Sequence, residues 1–175
     1  MNALRNVTFA AGIALAPVDA GGAEPLEWRA LADERAVIRI ADAIDRAVDA
    51  QDWKLARSYF ADRVTADFSS LSGQPAATIA SDDLIGTWAA NLKGSKTSLH
   101  LRTNHQVAID GESAIVLSNG YAWNRMEGNG DPLWEVWGTY EHHLVRSSAG
   151  WKVDGFTFRM THERGNPLVK ATPGH

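Results

Sequence analysis

Between Ser98 and Trp123 the chain reads SLHLRTNHQVAIDGESAIVLSNGYAW. Two long segments of mixed polar and apolar residues meet there at Asp110-Gly111, a dipeptide that tolerates the positive φ of a tight turn. The stretch predicts a β-hairpin. Two more segments of similar length follow, Leu133 to Arg146 and Trp151 to His162, parted by the small polar run Ser147-Ser148-Ala149-Gly150. The C-terminal half is therefore expected to be a meander of four long antiparallel strands. All helical patterns lie upstream of it, so the class is α+β, with N-terminal helices packed on a curved antiparallel sheet.

From Asp33 to Asp49 the apolar residues Val37, Ile40, Ala41, Ile44, Ala47 and Val48 recur at helical spacing without Gly or Pro. Asp52 is placed to cap a second, shorter helix through Tyr59 or Phe60, with Trp53, Leu55, Ala56 and Tyr59 on its buried side. Val64 to Phe68 reads as a short strand, and residues 69–80, rich in Ser, Gly, Pro and Ala, as a loop. Ser81-Asp82-Asp83 opens a third helix, continued by Leu84, Ile85, Trp88 and Leu92 as far as Gly94. After His162 the chain runs through Gly165-Asn166-Pro167 to His175 without periodicity, as a surface-bound or disordered tail.

With 175 residues the chain can bury one sizeable core, so residues 24–166 are expected to form a single domain and 167–175 a tail. Residues 1–23 have the layout of a short secretory signal, with Arg5, a weakly polar run from Val7 to Val18, and small residues at Val18-Asp19-Ala20 and Gly21-Gly22-Ala23. A periplasmic or secreted protein is expected on that reading; the rival is a disordered extension of a cytoplasmic one. The run is too short for an integral membrane span. A net charge of -4, with no run of Lys or Arg, argues against a nucleic-acid partner. The absence of cysteine excludes disulfides, thiolate metal sites and a cysteine nucleophile.

The order of elements, together with Asp49-Ala50-Gln51-Asp52-Trp53, Ala66-Asp67-Phe68, His100, Asp110-Gly111 followed by Ala114, Gly150-Trp151-Lys152-Val153 and the ending Thr161 to Asn166, resembles the nuclear transport factor 2-like superfamily. Within it the chain is most similar to the SnoaL-like enzymes of the scytalone-dehydratase or bile-acid-dehydratase type. The resemblance implies a cone-shaped α+β domain, a small hydrophobic substrate or ligand, no cofactor, and a homodimer formed through the convex sheet face. A single fold of this kind serves lyases, isomerases and plain binding modules.

The resemblance also implies site residues. Asp49 falls where family dehydratases carry an essential Asp. At the end of a helix and turned into an apolar cone, its carboxyl would be raised in pKa by desolvation, as suits a general base or the partner of an imidazolium. The spacing of Asp42, Asp45 and Asp49 fits a solvated helix face equally well. His100 matches a family histidine that works as acid or base. His105, five residues on, is expected on the opposite face unless a bulge intervenes. Arg159 shares a strand face with Gly155 and Thr157 and falls where one family type has Asn and another Arg; it would hold a substrate oxyanion or else pair with an acidic residue.

The pocket walls are expected from Trp53, Phe68, Trp88, Asn119, Tyr121, Trp123, Trp137 and Tyr140, large or amphipathic side chains that serve equally well in core or interface packing. Two family tyrosines are Val48 and Phe68 here, and a further dehydratase histidine falls near Trp137, so scytalone dehydration itself is not expected. His142 and His143 are adjacent on a strand and face opposite sides, so one is expected to line the pocket and no metal site is expected. The residues therefore support a lyase or isomerase, a dehydratase above all, that moves a proton on a steroid-like or polyketide-like ring. The alternative is a non-catalytic binding or assembly module on the same fold.

Overall fold

The computed structural model describes residues 26–128 and 130–175. The expected signal segment, residues 1–23, lies outside them. The first helix, α1 (Leu26–Asp49), begins a full turn or more before the expected Asp33 and turns Val37, Ala41, Ile44 and Ala47 inward, each no more than 1% exposed. Each such aliphatic side chain contributes about 1.5–3 kcal/mol on burial. The helix stops at Asp49 because the next turn closes backward. Gln51 takes a left-handed φ of 56°, while the amides of Gln51 and Asp52 donate to the carbonyls of Val48 and Ala47. Asp52 then caps α2 (Trp53–Ser58) by accepting from the amide of Leu55 at 2.9 Å.

After β1 (Phe60–Asp67) the expected loop over 69–80 contains two short elements, α3 (Ser69–Ser72) and β2 (Ala77–Ala80). Composition hid them: the Ser-Gly-Pro bias ends at Pro75, and Thr78 and Ile79 then pair with Thr65 and Val64 of β1. Next come α4 (Ser81–Asn91), β3 (Thr97–Asp110), β4 (Ser113–Arg125), β5 (Leu133–Ser147), β6 (Gly150–Gly165) and α5 (Pro167–Ala171). The four long strands form the expected meander. The sheet runs β2-β1-β6-β5-β4-β3, with β1 parallel to β6 and the other pairs antiparallel. It is curled and open, and α1 packs across its concave face against β3, β4 and β6.

The tail is bound. Val169 of α5 is fully buried, and Lys96, which is fully buried too, directs its Nζ to Asn91 Oδ1 (2.8 Å), Thr172 O (2.9 Å) and Lys170 O (3.3 Å). The amides of Gly174 and Ser95 donate to Asn91 O and His175 O, both at 3.0 Å. Burial depresses Lys96 to about 8. Among the described residues no helix is long and apolar enough to cross a membrane.

Candidate active site

The three aspartates of α1 each meet a basic side chain of β3. Asp49 faces His100, Asp45 faces Arg102 and Asp42 faces His105, with the helix and strand running in opposite directions. His100 and Arg102 share a face by simple alternation. His105 joins them because of a bulge: Thr103 pairs with Asn119 and Gln106 with Leu117, so Asn104 and His105 stand opposite Ser118 alone. Asn104 absorbs the extra residue at a φ of 55°. The exception allowed for His105 is the one the fold uses.

Asp49 is held from three directions. Its Oδ1 accepts from the Ser98 hydroxyl and lies 2.7 Å from His100 Nδ1, and its Oδ2 accepts from the His100 amide at 2.8 Å. Burial pushes its pKa up, but the hydrogen bond and charge of His100, the Ser98 hydroxyl and the backbone amide together outweigh burial. The carboxyl therefore sits below its ordinary value of 3.8. This corrects the expectation of a raised pKa: desolvation was the only effect legible from a helix end, and the three donors come from a strand far along the chain. A carboxylate so held is a poor base. It suits the second role considered for it, keeping the proton of His100 on Nδ1 and leaving Nε2 free to act.

Beside this pair, Asp45 binds Arg102 through both oxygens, at 2.5 Å to Nε and 2.6 Å to Nη2. The Arg102 side chain is 1% exposed, and its guanidinium carbon lies over the Tyr140 ring, 3.5 Å from the centroid. Tyr140 is buried, which pushes its hydroxyl up to about 12 despite the opposing charge of Arg102. Deeper in the cone Phe60, Phe68, Trp88 and Phe156 pack edge-on, tilted or stacked, with centroids 5.3–6.3 Å apart. A groove of about 560 Å³ follows the seam between α1 and β3, lined among others by Arg39, Arg46, His100 and Arg102.

Of the three proposed catalytic residues, Asp49 and His100 converge and Arg159 does not. Arg159 is exposed on the outer face, paired with Thr139 across the sheet, while Phe158 beside it points inward against Tyr140. The shared face of Gly155, Thr157 and Arg159 was legible, but not which face it is. Asp154 is an extra residue between the pairs Val153–Leu144 and Gly155–His143, so the inward phase passes from Val153 to Phe156.

The expected walls divide likewise. Tyr140, Phe68 and Trp88 belong to the interior cluster, and Trp53 packs against the core from α2. Asn119, Tyr121 and Trp123 share a face as expected, but it is the outer one, and Trp137, paired with Tyr121, lies there too. There Tyr121 donates to Glu135 at 2.7 Å and tilts against Trp137, which in turn meets His162. The inner face of β4 carries the small residues Ala114, Val116, Ser118, Gly120 and Ala122 instead. Of the adjacent histidines, His142 is fully buried inside and His143 is exposed. Arg102 was missed altogether, although its alternation with His100 was a usable signal. Among the described residues no cluster of His, Cys, Asp and Glu is arranged to hold a metal ion.

The SnoaL-like domain model matches residues 29–157. Among solved structures, the Kfla4162 protein of Kribbella flavida superposes with a TM-score of 0.76 at 24% identity, covering 81% of this chain and 99% of its own. A proposed scytalone dehydratase from Novosphingobium aromaticivorans superposes at 0.70 with 18% identity, covering 81% and 92%. A hexachlorocyclohexane dehydrochlorinase from Novosphingobium barchaimii does so at 0.64 with 14% identity, covering 79% and 92%. No curated protein matches the sequence.

Proposed function

The chain belongs to the SnoaL-like domain family, and from that premise we propose that it is a cofactor-independent lyase or isomerase that moves a proton on a hydrophobic ring substrate, steroid-like or polyketide-like. The observation that carries the reading is the Asp49–His100 pair, 2.7 Å from Oδ1 to Nδ1, whose histidine lines the seam groove. Asp49 fixes the tautomer and steadies the imidazolium; Nε2 of His100 removes the proton from a carbon next to a carbonyl and returns it to a leaving hydroxyl or to another carbon. Eliminations named for two structural neighbours, a dehydratase and a dehydrochlorinase, accord with this chemistry.

Purified protein assayed for dehydration and double-bond migration on a panel of keto-steroids and aromatic polyketides is expected to show an activity that His100→Ala abolishes. Asp49→Asn is expected to lower it at least about a hundredfold, as loss of an orienting carboxylate does. Undiminished turnover in both variants would falsify the assignment.

One observation favours a binding module instead. Val48 and Phe68 stand where family tyrosines polarise a carbonyl, and aromatic rings fill the deep end of the cone. On that reading the panel compounds bind without turnover. Under either reading we propose a homodimer joined through the outer sheet face, where Leu101 is 53% exposed and Leu117 41%.

A further inference from the structure

Three residues of the inner face carry buried polar atoms short of hydrogen-bond partners among the described residues: Arg102 Nη1 and Ser118 Oγ have none, and the His142 ring has only the Val116 backbone. Native interiors satisfy nearly all such atoms, so a group of them around one spot marks a place for a polar guest. These atoms are grouped. Arg102 spends Nε and Nη2 on Asp45 and lies 3.5 Å from the Tyr140 centroid and 5.6 Å from that of Phe156. The His142 ring stands 4.6 Å from Phe156 and 6.4 Å from Tyr140. Ser118 is the cross-strand partner of Tyr140. Arg102 and His142 thus border the same two rings, and Ser118 stands opposite Tyr140 on the neighbouring strand.

We propose that Arg102, Ser118 and His142 form an oxygen-binding subsite that receives the carbonyl, and in the reaction the enolate, oxygen of the substrate. This rests on the reading of His100 as the base. The two residues share a face one pleat apart, about 7 Å along the strand, and line the same groove. As Nε2 of His100 takes the proton, the C–H electron pair becomes a C=C bond and the carbonyl π pair moves to oxygen, where the free edge of the guanidinium donates to it. When that pair returns, the carbonyl re-forms and either the C–O bond to a β-hydroxyl breaks, with the imidazolium proton leaving in water, or the same proton is delivered to another carbon.

A guanidinium held through its other two nitrogens presents Nη1 in a fixed direction, which an ammonium does not do. Burial first, then the positive charges of Arg102, His105 and His143, hold the pKa of His142 well below its ordinary value. A hydrogen bond with the Val116 backbone works the other way but is outweighed, so the ring is neutral and adds no second cation beside Arg102. The role first expected of Arg159 thus passes to a residue inside the cone.

The test is binding of 2-naphthol against naphthalene, followed by the naphthol emission, which reports its ionisation. Wild-type protein is expected to bind the naphtholate at least about tenfold more tightly than naphthalene, as a charge-assisted hydrogen bond implies. Replacing the buried ion pair together, Asp45→Leu with Arg102→Met, leaves no unpaired charge and is expected to keep the fold and naphthalene binding while erasing the preference. If that double variant does not fold, Ser118→Ala with His142→Phe leaves the ion pair intact, and a fall in preference of about threefold or more supports the subsite. No preference in the wild type, or an unchanged one in the folded variants, overturns the proposal and leaves these atoms to solvent. His100→Ala keeps the naphtholate preference if the subsite is real, whatever becomes of turnover, which separates the two readings.

Discussion

Raising the pH is expected to stabilise this protein through one side chain. Lys96 is fully buried, and burial lowers its pKa from 10.5 to about 8. The folded chain therefore binds this proton more weakly than the unfolded chain. Below pH 8 both states hold it, and the desolvated ammonium weighs against folding. Between pH 8 and 10.5 the folded state releases it while the unfolded state keeps it, so stability climbs through that window and levels off above. At 1.36 kcal/mol per pH unit the climb amounts to about 3 kcal/mol.

Other lysines and the tyrosines titrate nearby, so the quantity to measure is a difference. Urea unfolding of the wild type and of Lys96→Met, followed by tryptophan fluorescence at constant ionic strength, gives two stability curves. Loss of the contacts to Asn91, Lys170 and Thr172 offsets the Met curve by a roughly constant amount, because none of those acceptors titrates. The wild-type curve should then gain about 3 kcal/mol on the Met curve between pH 7.5 and 10.5. Curves that stay parallel within about 1 kcal/mol would refute the reasoning.

Asp49, whose folded pKa is lowered, contributes stability that is present above its ordinary pKa and is lost as pH falls through the lowered one. Asp49→Asn should flatten that acid limb in thermal melts below about pH 4, and an unchanged limb would count against the lowered pKa. In Gly120→Ala the new Cβ would fall within the Tyr140 ring that Arg102 stacks upon, so a loss of about 1–3 kcal/mol is expected in urea titrations. Asn104→Val, which puts a β-branched residue at a φ of 55°, should cost about 1–2 kcal/mol by the same measurement, and Asn104→Gly little. Leu101→Glu on the outer face should shift the particle from dimer to monomer in light scattering; a mass unaltered by it would exclude this face as the contact.

The fold was legible because its signals are local. The 3.6 period of α1, the Asp52 cap and the Asp110-Gly111 turn each set a boundary through nearest neighbours, and the hairpin followed. The faces of the strands were not legible. Along β4 the large side chains Leu117, Tyr121 and Trp123 lie outside and the small ones Ser118, Gly120 and Ala122 lie within, because α1 and the Tyr140 ring occupy the inner space. Size therefore pointed the wrong way at Asn119, Tyr121 and Trp123. Arg159 failed for a related reason: one extra residue at Asp154 reverses the phase, and nothing in Val153-Asp154-Gly155 announces it. Asp49 and His100 were found through resemblance, but their mutual hold, which inverts the pKa shift expected of Asp49, spans about fifty residues of sequence.

The bulge in β3 also bears on how such a chain tolerates insertion and deletion. Along α1 the steps from Asp42 to Asp45 to Asp49 are about 4.5 and 6 Å; along β3 each pleat is about 6.6 Å. Two pleats match the helix well enough for long side chains to bridge, whereas five residues laid out regularly would carry His105 to the wrong face. Asn104 is the surplus residue. Removing it altogether would leave His-x-Arg-x-His in plain alternation, with the pairs Thr103–Asn119 and Gln106–Leu117 and all three helix contacts preserved. Deletion should thus be milder than Asn104→Val, the reverse of the usual order within a strand, while a second inserted residue would set His105 adrift from Asp42 and leave His100 and Arg102 where they are.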